Sequence, residues 1–252
     1  MFIALGVACG TLLLHAQNAE DLLEPDGGAR EVSGGIFVPA LPKAPFSAVV
    51  QTVWNKRLSD GNTDPVKTFR VIMRDGKGRI YQERRTFVPD GSSEEPRIIQ
   101  IEITDPESHT KYSCDASLKR CKLRGYTPAL SYPVVPVGLI DNGRLYLSRT
   151  SLGTKTIQGI EVIGTREIVS VGQGTAAKPT PIDFIRELWY SPKLGIDLQL
   201  ARTDPAHGDQ TFSVISLSVG EPDANLFAVP ERARVSDLRE NGTQATASVP
   251  TQ

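Results

Sequence analysis

Glu187-Leu-Trp-Tyr-Ser-Pro-Lys-Leu-Gly-Ile-Asp-Leu-Gln-Leu200 runs on through Asp204-Pro-Ala-His-Gly-Asp209 to Glu221-Pro-Asp-Ala-Asn-Leu-Phe-Ala-Val-Pro230, and its reading decides the fold. Apolar and polar residues alternate with a period of two, and Gly and Pro mark the turns. That is the pattern of short antiparallel strands covered on one side. Ile196, Leu198 and Leu200 share one face, with Asp197 and Gln199 on the other. The strands here span Asp183–Tyr190, Gly195–Arg202 and Gln210–Val219. In the last of them the phase slips between Val214 and Ile215, which predicts a bulge.

The same period extends upstream. Phe46, Ala48, Val50 and Trp54 alternate with polar neighbours, and Phe69, Val71 and Met73 alternate with Arg70 and Arg74. Ile99, Ile101 and Ile103 alternate with Gln100 and Glu102. Asp60-Gly, Asp75-Gly-Lys-Gly and Asp90-Gly are turns between these runs, and Asp141-Asn-Gly-Arg144 is a strong hairpin signal because both central positions tolerate positive φ. Pro128 to Pro136 lacks too many donors for a helix or a central strand and reads as a crossover or flap. No helical period of any length is visible. The fold class is therefore all-β, or a β-dominated α+β arrangement, built on an antiparallel meander.

Residues 1–19 read as a signal peptide. Met1–Leu14 is apolar but too short for a membrane span, which needs about 20 residues, and small residues suited to cleavage follow at Ala16 and Ala19. The basic start of such a signal is missing. Cys9 does not make a lipidation motif, because Gly6 stands where a large aliphatic residue is needed. Residues 20–45 read as a flexible leader, 46–235 as a single β domain and 236–252 as a disordered polar tail. Export makes the compartment periplasmic or extracellular and oxidising, and the remaining cysteines, Cys114 and Cys121, then read as a disulfide. If Asp115 pairs with Arg120 in a tight hairpin, the two thiols face each other at bridging distance.

Ser151-Leu-Gly…Gly-Ile-Glu-Val-Ile-Gly-Thr-Arg166 and Glu187–Pro230 together resemble a family of secreted bacterial proteins of acidobacterial type. More distantly, the chain resembles the lipoprotein carriers LolA and LolB and the envelope-stress regulator RseB. The resemblance implies a curved antiparallel sheet forming an open, LolA-like half-barrel. The carriers close their concave face with helices around acyl chains. This chain has a proline-rich stretch, Tyr126–Pro136, where such a covering segment would be sought.

Composition excludes some functions. Lys+Arg 28 against Asp+Glu 29 gives a net charge of −1, so there is no electrostatic footprint for nucleic acid. Gly172-Gln-Gly-Thr-Ala-Ala177 formally matches a dinucleotide fingerprint, but Pro179 and Pro181 forbid the helix that would receive the pyrophosphate. Asp204, His207 and Asp209 contain metal-ligating types without the spacing of an established site or a fourth ligand, and read as a polar turn. No Gly-x-Ser-x-Gly elbow accompanies the histidines. We therefore expect no enzyme, no metal and no cofactor.

Arg84-Arg85 and Lys119-Arg120-Cys-Lys-Leu-Arg124 read as solvated strand faces or, functionally, as contacts for an anionic glycan or lipid headgroup. Trp54, Trp189 and Tyr190 are candidates to line a concave ligand surface. The leading expectation is an exported cell-envelope protein that holds an apolar or amphipathic ligand, or a lipoprotein-like partner, on its concave sheet face. The alternatives are an interaction or sensor module without a small ligand, and a carboxylate-dependent envelope hydrolase.

Overall fold

The computed structural model describes residues 35–130, 134–171 and 182–239. The first half contributes β1 (Phe46–Arg57), β2 (Thr63–Arg74), β3 (Ile80–Arg85), β4 (Val88–Pro89), β5 (Ile98–Asp105), β6 (Thr110–Cys114) and β7 (Arg120–Gly125). The second contributes β8 (Gly138–Ile140), β9 (Leu145–Ile157), β10 (Ile160–Val171), β11 (Ile182–Ser191), β12 (Ile196–Thr203), β13 (Gly208–Val219) and β14 (Arg234–Asp237). They form one curved, unclosed sheet ordered β14-β7-β6-β5-β3-β2-β1-β13-β12-β11-β10-β9-β8, with β4 paired beside β2. Among the described residues the helical content is one 3₁₀ turn, Ala224–Phe227.

Two meanders meet at β1, which pairs with β2 on one side and β13 on the other. The slip foreseen at Val214–Ile215 is there: Val49 faces Ser216 and Val50 faces Val214, so Ile215 is the extra residue. At the Asn-Gly hairpin, Asp141 and Asn142 both adopt positive φ. Gly208 is obligatory, since its φ is +93° and a Cβ there would lie 1.9 Å from the Asn55 carbonyl oxygen.

Opposed residues of antiparallel strands point to the same side. The register therefore carries one face across the sheet. Its rows run Phe46, Arg74, Ile80, Thr104, Lys111, Arg124 and Ala48, Ile72, Gln82, Glu102, Ser113, Lys122. Each row starts apolar at the middle of the sheet and ends in cations near the β7 edge. We call this the inner face.

The middle of the inner face is covered by the chain itself. Ile36, Val38 and Ala40 are buried against Phe46, Val50, Ile72, Leu188, Leu198 and Phe212. The leader expectation for residues 20–45 thus changes for the part described: residues 35–45 form a packed strap. The reason lies in Ile36-Phe-Val38, an apolar run too short to register as a strand but long enough to fill a concave sheet. The crossover lies against it, with the Ala40 amide donating to the Ala129 carbonyl at 2.9 Å.

The strap is pinned by arginines that sequence alternation had set apart from the apolar set of β2. Arg74 is fully buried; its guanidinium donates to the carbonyls of Ala44 (2.8 and 3.0 Å), Pro39 (2.9 Å) and Leu194, and stacks over the Phe46 ring. Burial lowers its pKa to about 10, so it stays charged at neutral pH. Arg70 donates to the Ile36 carbonyl at 3.0 Å. Strap carbonyls in an apolar setting need donors. A planar cation with five N–H groups satisfies several at once, which explains why arginine stands where the pattern calls for an aliphatic residue.

The outer face behind β3, β5, β6 and β7 has a second core. Tyr81, Ile101, Ile103, Cys114 and Cys121 pack under Leu226, Phe227 and Val229. The Glu221–Pro230 signature is therefore a clamp: Asp223 caps the 3₁₀ turn, and Glu221 accepts from the Gly76 amide at 3.1 Å. Cys114 and Cys121 are directly opposed on β6 and β7 and form a disulfide. The Asp115 amide donates to the Arg120 carbonyl, as the hairpin reading required.

Candidate functional site

The inner face opens toward the β7 edge. There β5, β6, β7 and β14 enclose a groove of about 560 Å³. Arg120, Lys122 and Arg124 alternate along β7 and so project to one side at roughly 6.6 Å intervals. Lys111 adds a cation from β6. β14 runs parallel to β7 and sets Arg234 beside Arg120. Five cations and two carboxylates, Glu102 and Asp115, line the groove.

Both carboxylates are engaged. Glu102 is buried, accepts from Arg84 at 3.2 Å and from Gln100 at 2.7 Å, and lies 3.4 Å from the Lys111 ammonium. Asp115 accepts from Ser117, Arg120 and the Lys119 amide, which hold its pKa down at about 2. Neither is arranged as an acid–base pair around a vacant reacting centre. Lys122, Arg124 and Arg234 are exposed and have no ion-pair partner among the described residues. Unpaired like charges held this close repel one another, so the groove presents a field that favours an anionic occupant.

Sequence reading had singled out the β7 cations and missed Glu102, Lys111 and Arg234. The signal for Glu102 was its place in the Gln100, Glu102, Thr104 set, the polar face of β5. Nothing local marks Arg234, which arrives through a parallel pairing across a long connection. Arg84 and Arg85 are not one patch. Arg84 is buried on the inner face beneath Glu102, whereas Arg85 pairs with Glu83 at 2.7 Å on the other side.

Trp54, Trp189 and Tyr190 lie outside this groove. Trp54 is buried near the end of β1, donates to the His207 carbonyl at 3.0 Å and meets Phe87 edge-on. Trp189 is half-buried; its ring fills the space above Gly164, where a Cβ would lie 2.6 Å from a ring carbon, and Lys155 Nζ sits 3.7 Å from its centroid. Regular alternation would turn Trp189 and Tyr190 to opposite faces. Their pairing with β10 is unbroken; the register shift on the β12 side is taken up by the extra residue Leu198, and both side chains are half-buried. Tyr190 reaches the strap end of the inner face beside Gly195 and Leu41.

The turn after β12 is self-contained. Asp204 accepts from the Ala206 and His207 amides, from His207 Nδ1 at 3.0 Å and from Arg202 at 3.0 Å. Asp209 pairs with Asn55 in the ladder. Among the described residues no group of three or more His, Cys, Asp or Glu is placed to hold a metal ion. Gly172–Ala177 lies outside the described residues, as do residues 1–34 and 240–252. One buried acid remains apart from the groove. Asp197 is buried on β12 with Oδ2 unpartnered among the described residues, and burial pushes its pKa up to about 7.

No protein-family model matches this chain, and no curated protein matches it in sequence. Several solved structures are similar in strand arrangement. A chain of the Pseudomonas aeruginosa MucA/MucB complex matches 78% of this chain at 12% identity and a TM-score of 0.36. The match spans 59% of that chain, so this protein covers less than two thirds of its length. LprF from Mycobacterium bovis matches at 13% identity and a TM-score of 0.31, over 76% of this chain and 90% of that one. A β-barrel-like protein of the DUF1849 family from Brucella abortus matches at 6% identity and a TM-score of 0.29, over 72% of this chain and all of that one. Likeness at this level transfers neither ligand nor partner.

Proposed function

We propose that this chain is an exported binding module of the cell envelope, and that its ligand surface is the basic end of the inner face. The observation that carries the reading is the groove itself: cations from β6, β7 and β14 converge on it, and Lys122, Arg124 and Arg234 have no partner of opposite sign among the described residues. The Cys114–Cys121 bridge supports an oxidising compartment, and with it removal of residues 1–19 as a signal. The apolar centre, where a carrier would hold acyl chains, is filled by Ile36, Val38 and Ala40. Affinity here comes from charge at the groove, with the exposed Ile99 offering an apolar contact beside it. On this reading the ligand is amphipathic or anionic, and Trp54, Trp189 and Tyr190 hold the sheet in shape.

The test is a titration of the mature chain with a deca-glutamate peptide at low and at moderate salt. Saturable binding at 20 mM salt, weakened at least about tenfold at 300 mM and lost in Lys122→Glu/Arg124→Glu, is the expected result. Absence of binding at low salt overturns the reading.

A further inference from the structure

Resting on that reading of the groove, we infer that its resident occupant is the chain's own acidic segment, Glu20-Asp-Leu-Leu-Glu-Pro-Asp26. Three independent observations meet here. The first is charge: the segment has four carboxylates against the single α-ammonium that cleavage after Ala19 leaves on Glu20, facing a groove with five cations and two carboxylates. The two carboxylates are already held by Arg84, Lys111 and Arg120, which leaves Lys122, Arg124 and Arg234 for an incoming acid.

The second is period. In an extended chain Glu24 and Asp26 fall on one side two residues apart, and Glu20 lies on the same side four residues further back, with Leu22 between. Arg120, Lys122 and Arg124 on β7 repeat every two residues, the interval between Glu24 and Asp26. An extended peptide laid along β7 therefore sets Glu24 and Asp26 opposite two neighbouring cations. Leu22 falls on the carboxylate side of the same segment, where the exposed Ile99 on the groove wall can cover it.

The third is where the strap begins. The Ile36 carbonyl is held by Arg70, Arg70 donates to Gln82, Gln82 donates to Glu102, and Glu102 lines the groove. The chain preceding Gly35 thus starts a few side chains from the groove wall. Residues 27–34, with three glycines, can span roughly 27 Å when extended. Tethering at that range gives a local concentration of order millimolar, enough for a weak electrostatic contact to be populated. The segment then screens the groove until a partner with a stronger anionic group displaces it.

The experiment uses the mature chain as exported. A zero-length carbodiimide links an ammonium only to a carboxylate it touches. The expected product is an intramolecular link from Lys122 or Lys111 to Glu20, Asp21, Glu24 or Asp26, read by peptide mass and suppressed at 500 mM salt. In parallel, deca-glutamate binding is compared with a chain carrying Glu20→Gln, Asp21→Asn, Glu24→Gln and Asp26→Asn. Removal of the competing acids should raise affinity about tenfold. Equal affinity in the two chains, with no such link, overturns the self-docking inference and leaves the groove reading standing. Failure of both chains to bind at low salt overturns the groove reading, and the inference falls with it.

Discussion

The two ends of one inner face solve opposite problems. In the middle, Phe46, Val50, Ile72 and Leu198 make an apolar concavity, and the chain closes it with Ile36, Val38 and Ala40. Five strands from β1, the same rows end in Lys122 and Arg124, and among the described residues nothing covers them. The middle uses its buried arginines for structure, because Arg70 and Arg74 satisfy strap carbonyls that water cannot reach. The edge keeps Lys122, Arg124 and Arg234 exposed, with no ion-pair partner among the described residues. Equal residue types thus do different work, and the distinction is burial together with the presence of a carbonyl or carboxylate to receive them. A concave sheet does not by itself imply an apolar ligand.

The comparison breaks most visibly at Arg74. Arg74→Ala removes donors from three buried carbonyls and opens a cavity over Phe46. We expect a loss of about 3–5 kcal/mol, read as a shift in urea midpoint, with fast exchange of the strap amides. If the middle were only loosely covered, the loss would stay below about 1 kcal/mol. Next comes the outer core beneath the groove. Cys114→Ala/Cys121→Ala frees a short hairpin loop, and chain-entropy arguments give about 2.5 kcal/mol for one of this length. Reduction of the wild-type chain should lower the melting temperature to match.

Asp197 gives a smaller, pH-dependent effect. Its folded pKa, about 7, lies above the ordinary aspartate value, so the folded state holds a proton that the unfolded state has released. Stability contributed by the neutral acid is present below about pH 4 and is lost as pH rises toward 7. Asp197→Asn should flatten that slope and raise the melting temperature at pH 8 by a few degrees. An unchanged pH profile would show that Asp197 finds a partner. The smallest effect on stability belongs to the groove: Lys122→Gln/Arg124→Gln should move the melting temperature by less than about 2 °C while abolishing salt-sensitive binding of deca-glutamate. A large drop would place these cations with Arg74, as structural residues.

Much of this division was legible in the sequence, and the reasons differ by element. Period-two alternation located β1, β5, β12 and β13, and the phase slip at Ile215 marked the bulge, because strand geometry is local. The Cys114–Cys121 pairing followed from a short hairpin, again a local rule. The strap did not show, since Gly35-Ile-Phe-Val-Pro39 has no period to reveal and gains its structure only from a sheet formed by later residues. Arg70 and Arg74 were hidden for the same reason: alternation sorts residues by face, but which face is buried depends on what covers it. The groove was half visible. Arg120, Lys122 and Arg124 stood out on β7, whereas Arg234 joins them through a parallel pairing that no spacing rule foretells.

The most direct test of the central claim is hydrogen exchange on the mature chain, read peptide by peptide across residues 35–45 and 120–125. The account predicts strap amides that open only with global unfolding, at the same denaturant dependence as β1, and unchanged by acyl-chain ligands. Strap amides that exchange within seconds under native conditions, or that are displaced by an acyl-chain ligand, would contradict it and return the apolar centre to service as the binding surface.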